Sequence, residues 1–141
     1  MKLMNGRSFL DTNVLVYTDD QDSLEKQRRA LELVSECRQR RTGVVSTQIL
    51  QEYFVTTTRK LGVAADVARR KAEIFGRLHL VTLGLGDVLG AIDLHRLHSL
   101  SFWDALVVRA ALASGCTRLL TEDLQHGQRF EGLAVVNPFV G

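Results

Sequence analysis

Short apolar runs alternate with segments of helical spacing, and no other feature of the chain constrains its fold so strongly. The runs are Ser8-Phe9-Leu10, Gly43-Val44-Val45-Ser46, Leu80-Val81-Thr82-Leu83, Arg118-Leu119-Leu120-Thr121 and Leu133-Ala134-Val135-Val136. A strand with one wet face alternates polar and apolar residues; these do not, so they read as strands covered on both faces. Between the first four, Ser23 to Arg40 carries Leu24, Leu31, Val34 and Cys37 on one helical stripe, and Ala64 to Leu78 carries Val67, Ala68, Ile74, Phe75 and Leu78. Val88 to Leu97 and Asp104 to Ala113 read as two further helices. Strands alternating with helices predict a three-layer α/β/α domain with a mainly parallel sheet. Boundaries fall at Gly43, at Gly84 and Gly86, at Gly115, and at Asn137-Pro138, the single proline.

At 141 residues the chain has the length of one domain, residues 1–141, large enough to bury a core without disulfides or metals to hold it together. Apolar stretches such as Ala105-Leu106-Val107-Val108 are broken by charge far short of the ~20 residues a membrane span needs. The segment Met1 to Arg7 has no apolar core or small-residue cleavage site, so it is not read as a secretory signal, and a cytoplasmic location is expected. Cys37 and Cys116 lack a nearby partner and are expected to be reduced. Of the 18 basic residues, 14 are Arg, the side chain that forks onto phosphate oxygens, although a net charge of +2 is too small to prove a nucleic-acid partner.

Four carboxylates border apolar runs where the alternation should bring chain ends together. Asp11 ends the first run and either caps the next helical turn or faces a ligand at the carboxyl edge of the sheet. Glu52 lies on a helix starting near Ser46 or Thr47, with Ile49, Leu50, Tyr53 and Phe54 on its packed side; a helical Glu by itself is usually solvated. Asp104 follows Ser101 at capping-box spacing, and both jobs can coexist, Ser101 capping while Asp104 faces a metal. Asp123 lies two residues beyond the fourth run, beside Glu122. Gathered at one sheet edge, such acids repel and call for a divalent cation.

Together the motifs Phe-Leu-Asp-Thr-Asn-Val-Leu-Val-Tyr, Ser-Thr-Gln-Ile-Leu-Gln-Glu-Tyr, Ser-Phe-Trp-Asp-Ala-Leu-Val-Val-Arg-Ala-Ala and Leu-Leu-Thr-Glu-Asp-Leu-Gln-His-Gly run in this order from Ser8 to Phe139. The chain resembles PIN-domain ribonucleases, most closely the VapC-type toxins of toxin–antitoxin pairs. The resemblance implies a PIN-like sheet of about five strands and an acidic metal site on Asp11, Glu52, Asp104 and Asp123, supported by Asn13 and Thr121. It further implies one or two Mg²⁺ or Mn²⁺ ions, an RNA substrate, a cognate antitoxin whose tail lies over the site, and a homodimer. Asp11 and Asp104 are the first choices as metal ligands; Asp123 and Glu52 serve a second cation or position water. Thr-x-Asp spacing favours Asp123 over Glu122.

Rival readings are a non-catalytic RNA-binding module on the same fold and an aspartyl-phosphate phosphatase; the latter needs an acid where Asn13 stands. His95 and His98, three apart on a helix, lack a third metal ligand and read as a solvated face, while His126 lies close enough to the acidic turn to meet substrate. The basic runs Arg38-Gln39-Arg40-Arg41, Arg59-Lys60 and Arg69-Arg70-Lys71 read as solvated faces, or as grips on RNA backbone around the acidic pit. Which RNA is cut is not written in the sequence.

Overall fold

The structure is a computed structural model describing residues 6–140. Met1 to Asn5, most of the segment read above as no secretory signal, lie outside the described residues, as does Gly141. In chain order the elements are β1 (Arg7–Leu10), α1 (Thr12–Tyr17), α2 (Leu24–Arg40), β2 (Gly43–Ser46), α3 (Thr47–Lys60) and α4 (Ala65–Phe75). They continue with β3 (His79–Val81), α5 (Leu85–His98), α6 (Phe102–Ala113), β4 (Cys116–Leu120), β5 (Arg129–Phe130) and β6 (Leu133–Val136). The sheet order is β3-β2-β1-β4-β6-β5, all parallel except the β5–β6 pair. This is the expected three-layer α/β/α arrangement, with six strands where the resemblance implied about five. The sixth, β5, is a two-residue hairpin arm reversed through Glu131, too short to register as an apolar run. Among the described residues no helix is long and apolar enough to cross a membrane.

The central strands are buried on both faces, as their unalternated apolar character requires: Phe9, Leu10, Val44, Val45 and Leu119 are inaccessible to solvent. The stripe of α2 is rotated from the expected one. Ala30, Leu33, Val34 and Cys37 are buried, whereas Leu24 and Leu31 are exposed. Small side chains let this helix approach the sheet; a Cβ on Gly43 would stand 2.8 Å from that of Cys37. Phe54 and Val67, also expected on packed faces, are partly exposed, because α3 and α4 meet through Tyr53 and Phe75, whose rings pack edge to face at 5.1 Å. Both cysteines are free and buried, and burial raises their thiol pKa values.

Two local features go beyond the alternation. Arg41 caps α2 at φ 57°, ψ 40°, a left-handed conformation that costs a non-glycine residue about 1–2 kcal/mol. Asp19, following α1, is nearly buried between α3 and α4: it accepts from the Tyr53 hydroxyl at 2.6 Å and pairs with Lys71, which also donates to Thr18 Oγ1 at 3.1 Å. Burial first, then the Asp19 carboxylate, raise the Tyr53 hydroxyl pKa far above its ordinary value, so Tyr53 stays a donor. Tyr53→Phe deletes a hydrogen bond to a charge and should lower unfolding stability by about 1.5–3 kcal/mol, read from urea midpoints. A loss below 0.5 kcal/mol would mean that Lys71 alone satisfies Asp19.

Candidate active site

In a parallel sheet each strand ends, and each returning helix begins, at the carboxyl edge. Asp11 directly follows β1 and caps α1: its Oδ1 accepts from the Thr12 N–H at 2.7 Å, and its Oδ2 accepts from the Thr121 hydroxyl at 2.7 Å. Thr121 directly follows β4, and its Oγ1 accepts in turn from Asn13 Nδ2 at 3.2 Å and from the Asp123 N–H at 3.0 Å. Asn13 also donates to Asp123 Oδ2 at 3.1 Å, so one hydroxyl and one amide lock the ends of β1 and β4 together. Glu52, in the second turn of α3, accepts from Thr12 Oγ1 at 2.6 Å and from Gln48 Nε2 at 3.1 Å. Asp104 lies in the first turn of α6, where Ser101 Oγ accepts from its N–H at 3.1 Å, so Ser101 caps as expected.

The four acids share one electrostatic field. Burial raises the Asp11 pKa to about 6; hydrogen bonds from Thr121 and Thr12 oppose the rise, and the charges of Asp123 and Glu52 add to it. Asp104 is likewise raised, by burial and by the same two neighbouring carboxylates, with Ser101 opposing. Among the described residues no basic side chain enters the balance at Asp11 or Asp104.

Glu122 and Asp123, adjacent in sequence, both line the groove beside the acids but take different partners. Glu122 accepts from the Tyr17 hydroxyl and pairs with Lys26 at 3.0 Å, while Asp123 is held beside Asn13 and Thr121. The three histidines singled out in the sequence have other partners. His95 Nδ1 contacts the Leu100 carbonyl, His98 packs edge to face on Phe130 at 5.0 Å, and His126 Nδ1 accepts from the Asn137 N–H at 2.9 Å. Sequence reading missed Thr12, Gln48, Tyr17 and Lys26. Thr12 and Gln48 were visible as polar neighbours one residue from Asp11 and one helical turn from Glu52; nothing local marked Tyr17 or Lys26 as partners of Glu122.

Beside the acids opens a groove of about 690 Å³ whose lining includes Thr12, Asn13, Tyr17, Glu52, Lys60 and Asp123. Asp11 and Asp104 are not part of this lining. Among the described residues no three acidic, His or Cys groups form a ready-made chelating cluster. The donor set nonetheless fits a hard cation that binds through one or two carboxylates and keeps its waters: every candidate ligand is oxygen. Among the described residues Asn13 Oδ1 and Gln48 Oε1, buried next to Asp123 and Glu52, have no hydrogen-bond partner, a costly state that a metal-bound water would relieve. Of the basic runs, Lys60 lines the groove, Arg70 pairs with Glu73, and Lys71 with Asp19. Arg38 and Arg41 are not around the acids at all. They close α2 and precede β2, which puts them at the amino edge of the sheet, because a helix feeding a parallel strand ends where that strand begins.

The profile of the PIN domain matches residues 8–129. No curated protein matches the chain significantly. Among solved structures, a chain of a toxin–antitoxin complex from Klebsiella pneumoniae superposes with a TM-score of 0.67 at 16% identity, covering 93% of this chain and 97% of that one. VapC20 of Mycobacterium tuberculosis, described as a toxin cleaving the sarcin–ricin loop, superposes with a TM-score of 0.68 at 17% identity, covering 82% and 91%. At such identities the likeness is one of fold.

Proposed function

The chain belongs to the PIN-domain family, and from that premise we propose that it is a divalent-metal-dependent endoribonuclease acting as the toxin of a VapBC-type pair. The observation that carries the reading is the convergence of Asp11, Glu52, Asp104 and Asp123 on one electrostatic field at one sheet edge, where among the described residues no basic group offsets the raised Asp11 and Asp104. Asp11 and Asp104 are assigned as metal ligands, and Glu52 and Asp123 to a second cation or to positioning water. A bound Mg²⁺ or Mn²⁺ would supply a Lewis acid for the phosphate and lower the pKa of a coordinated water. Thr121 holds Asp11 by donating to one carboxylate oxygen; Asn13 and the Thr121 hydroxyl together aim Asp123. Gln48 and Thr12 orient Glu52. Lys60, in the groove wall, meets RNA phosphate. Asn13 spends its amide donors on Thr121 and Asp123, a positioning role that speaks against the phosphatase reading.

The likeness to a chain of a toxin–antitoxin complex supports an antitoxin partner; a tail of it lying over the groove, homodimerisation and a cytoplasmic location belong to the same proposal. The test is incubation of purified protein with total cellular RNA and Mn²⁺. Cleavage should appear, vanish on chelation and return with added metal. Cutting that survives thorough chelation removes the metal mechanism, and an intact RNA pool with Mn²⁺ present leaves the non-catalytic binding module.

A further inference from the structure

The sheet carries a second concave surface, of opposite sign, at the edge away from the acids. A cleft of about 570 Å³ is lined by Arg7, Arg38, Arg41, Arg77 and His79 around an apolar floor that includes Leu78. All five polar groups are exposed, and no Asp or Glu shares the lining. They converge for a topological reason: Arg7 and His79 open β1 and β3, Arg38 and Arg41 close α2, and Arg77 follows α4.

The ordinary explanation for cations here is the negative end of a helix. Two helix C-termini, α2 and α4, supply about half an elementary charge each, roughly −1 against four guanidiniums. Towards those C-termini the helices' acids are already engaged, Glu36 by Arg40 at 3.4 Å and Glu73 by Arg70 at 3.4 Å. Arg7 donates to the Ser114 carbonyl at 3.1 Å, but among the described residues the side chains of Arg38, Arg41 and Arg77 make no hydrogen bond or ion pair. Arg41 moreover occupies the left-handed cap where glycine sits without strain, so its charge is kept at a conformational cost. Unneutralised arginines lining one cleft are suited to phosphate oxygens, which a guanidinium fork binds through two parallel hydrogen bonds.

We propose that this cleft is an exosite for the phosphodiester backbone of a folded RNA, gripping phosphates remote from the bond that is cut; the choice of RNA rests on the nuclease reading. The strands separate cleft from acids by at least about 13 Å, four residues at roughly 3.3 Å each. An RNA engaging both must be long or folded enough to pass around an edge of the sheet. A second contact of this kind raises affinity through effective concentration and carries no sequence preference of its own.

The test uses the full chain in chelator, so that binding is read without cleavage, with a folded transfer RNA and a hexanucleotide as fluorescent probes. For Arg38→Ala/Arg77→Ala we expect at least tenfold weaker binding of the transfer RNA and a salt dependence reduced by about two phosphate contacts. The hexanucleotide, long enough for the cleft alone, should weaken as well, with the same loss of salt dependence. Arg41→Gly should also weaken transfer RNA binding while its melting temperature holds or rises, which separates lost contacts from lost fold. Unchanged affinity and salt slope overturn the exosite, as does full RNA affinity alongside lost binding of a poly-glutamate peptide. Weakened binding in a protein that cuts no RNA sustains the exosite and removes the nuclease instead.

Discussion

Asp11→Asn should abolish Mn²⁺-dependent cleavage and at the same time stabilise the metal-free protein near neutral pH. The carboxylate is buried, and burial lifts its folded pKa from the ordinary 3.8 to about 6. An acid raised in this way contributes no penalty below its unfolded pKa, where it is protonated in both states. Stability is lost as pH climbs through about 6, reaching a cost of about 3 kcal/mol when the group is charged. Asparagine removes that charge but introduces a conflict. Its carbonyl can keep the Thr12 N–H, yet its amide then points a donor at Thr121 Oγ1, which already accepts from Asn13 and from the Asp123 N–H. Subtracting about 1–2 kcal/mol for that clash leaves a net gain of about 1–2 kcal/mol at pH 7.5 without metal. Near pH 4 the gain should vanish or reverse, because only the clash remains. Mn²⁺ should raise the wild-type melting temperature by mass action and move the variant far less. Cleavage should fall at least a hundredfold, about 2.7 kcal/mol of transition-state stabilisation. A variant less stable than wild type at both pH values would show that the Thr121 bond, not the buried charge, dominates this position.

The adjacent acids should separate cleanly in parallel single-turnover assays. Asp123→Asn should slow Mn²⁺-dependent cleavage at least tenfold, about 1.4 kcal/mol, because the Asp123 carboxylate, held by the Asn13 amide, charges the field felt by Asp11 and Asp104. Glu122→Gln should leave the rate within about threefold. Its carboxylate is turned to Lys26 and Tyr17, and the Lys26 pair is exposed enough that losing it costs under about 1 kcal/mol of stability. The reverse ranking would place Glu122 at the metal and require the turn after β4 to rearrange when a cation binds.

Local periodicity carried most of the architecture. A strand buried on both faces must read as an unbroken apolar run, so β1, β2, β4 and β6 were legible from Phe9-Leu10, Val44-Val45, Leu119-Leu120 and Val135-Val136 alone. Because parallel strands joined by helices all end at one edge, the four acids that border these runs were legible as one candidate group as well. So was the cap at Ser101, a contact across three residues. The amino-edge position of Arg38 and Arg41 followed from the same topology, although their charge drew the expectation toward the acids. What the chain does not write locally is any contact set by the angle at which elements meet. The Asp11–Thr121 bond spans 110 residues, and the divergence of Glu122 from Asp123 depends on where α2 sets Lys26. The rotation of the α2 stripe from Leu31 onto Ala30 and Leu33 was decided by how closely Cys37 could pack over Gly43. Periodicity fixes which face of an element is apolar to within a residue or so; only packing against a neighbour selects the rotation, and with it the partner of each polar side chain.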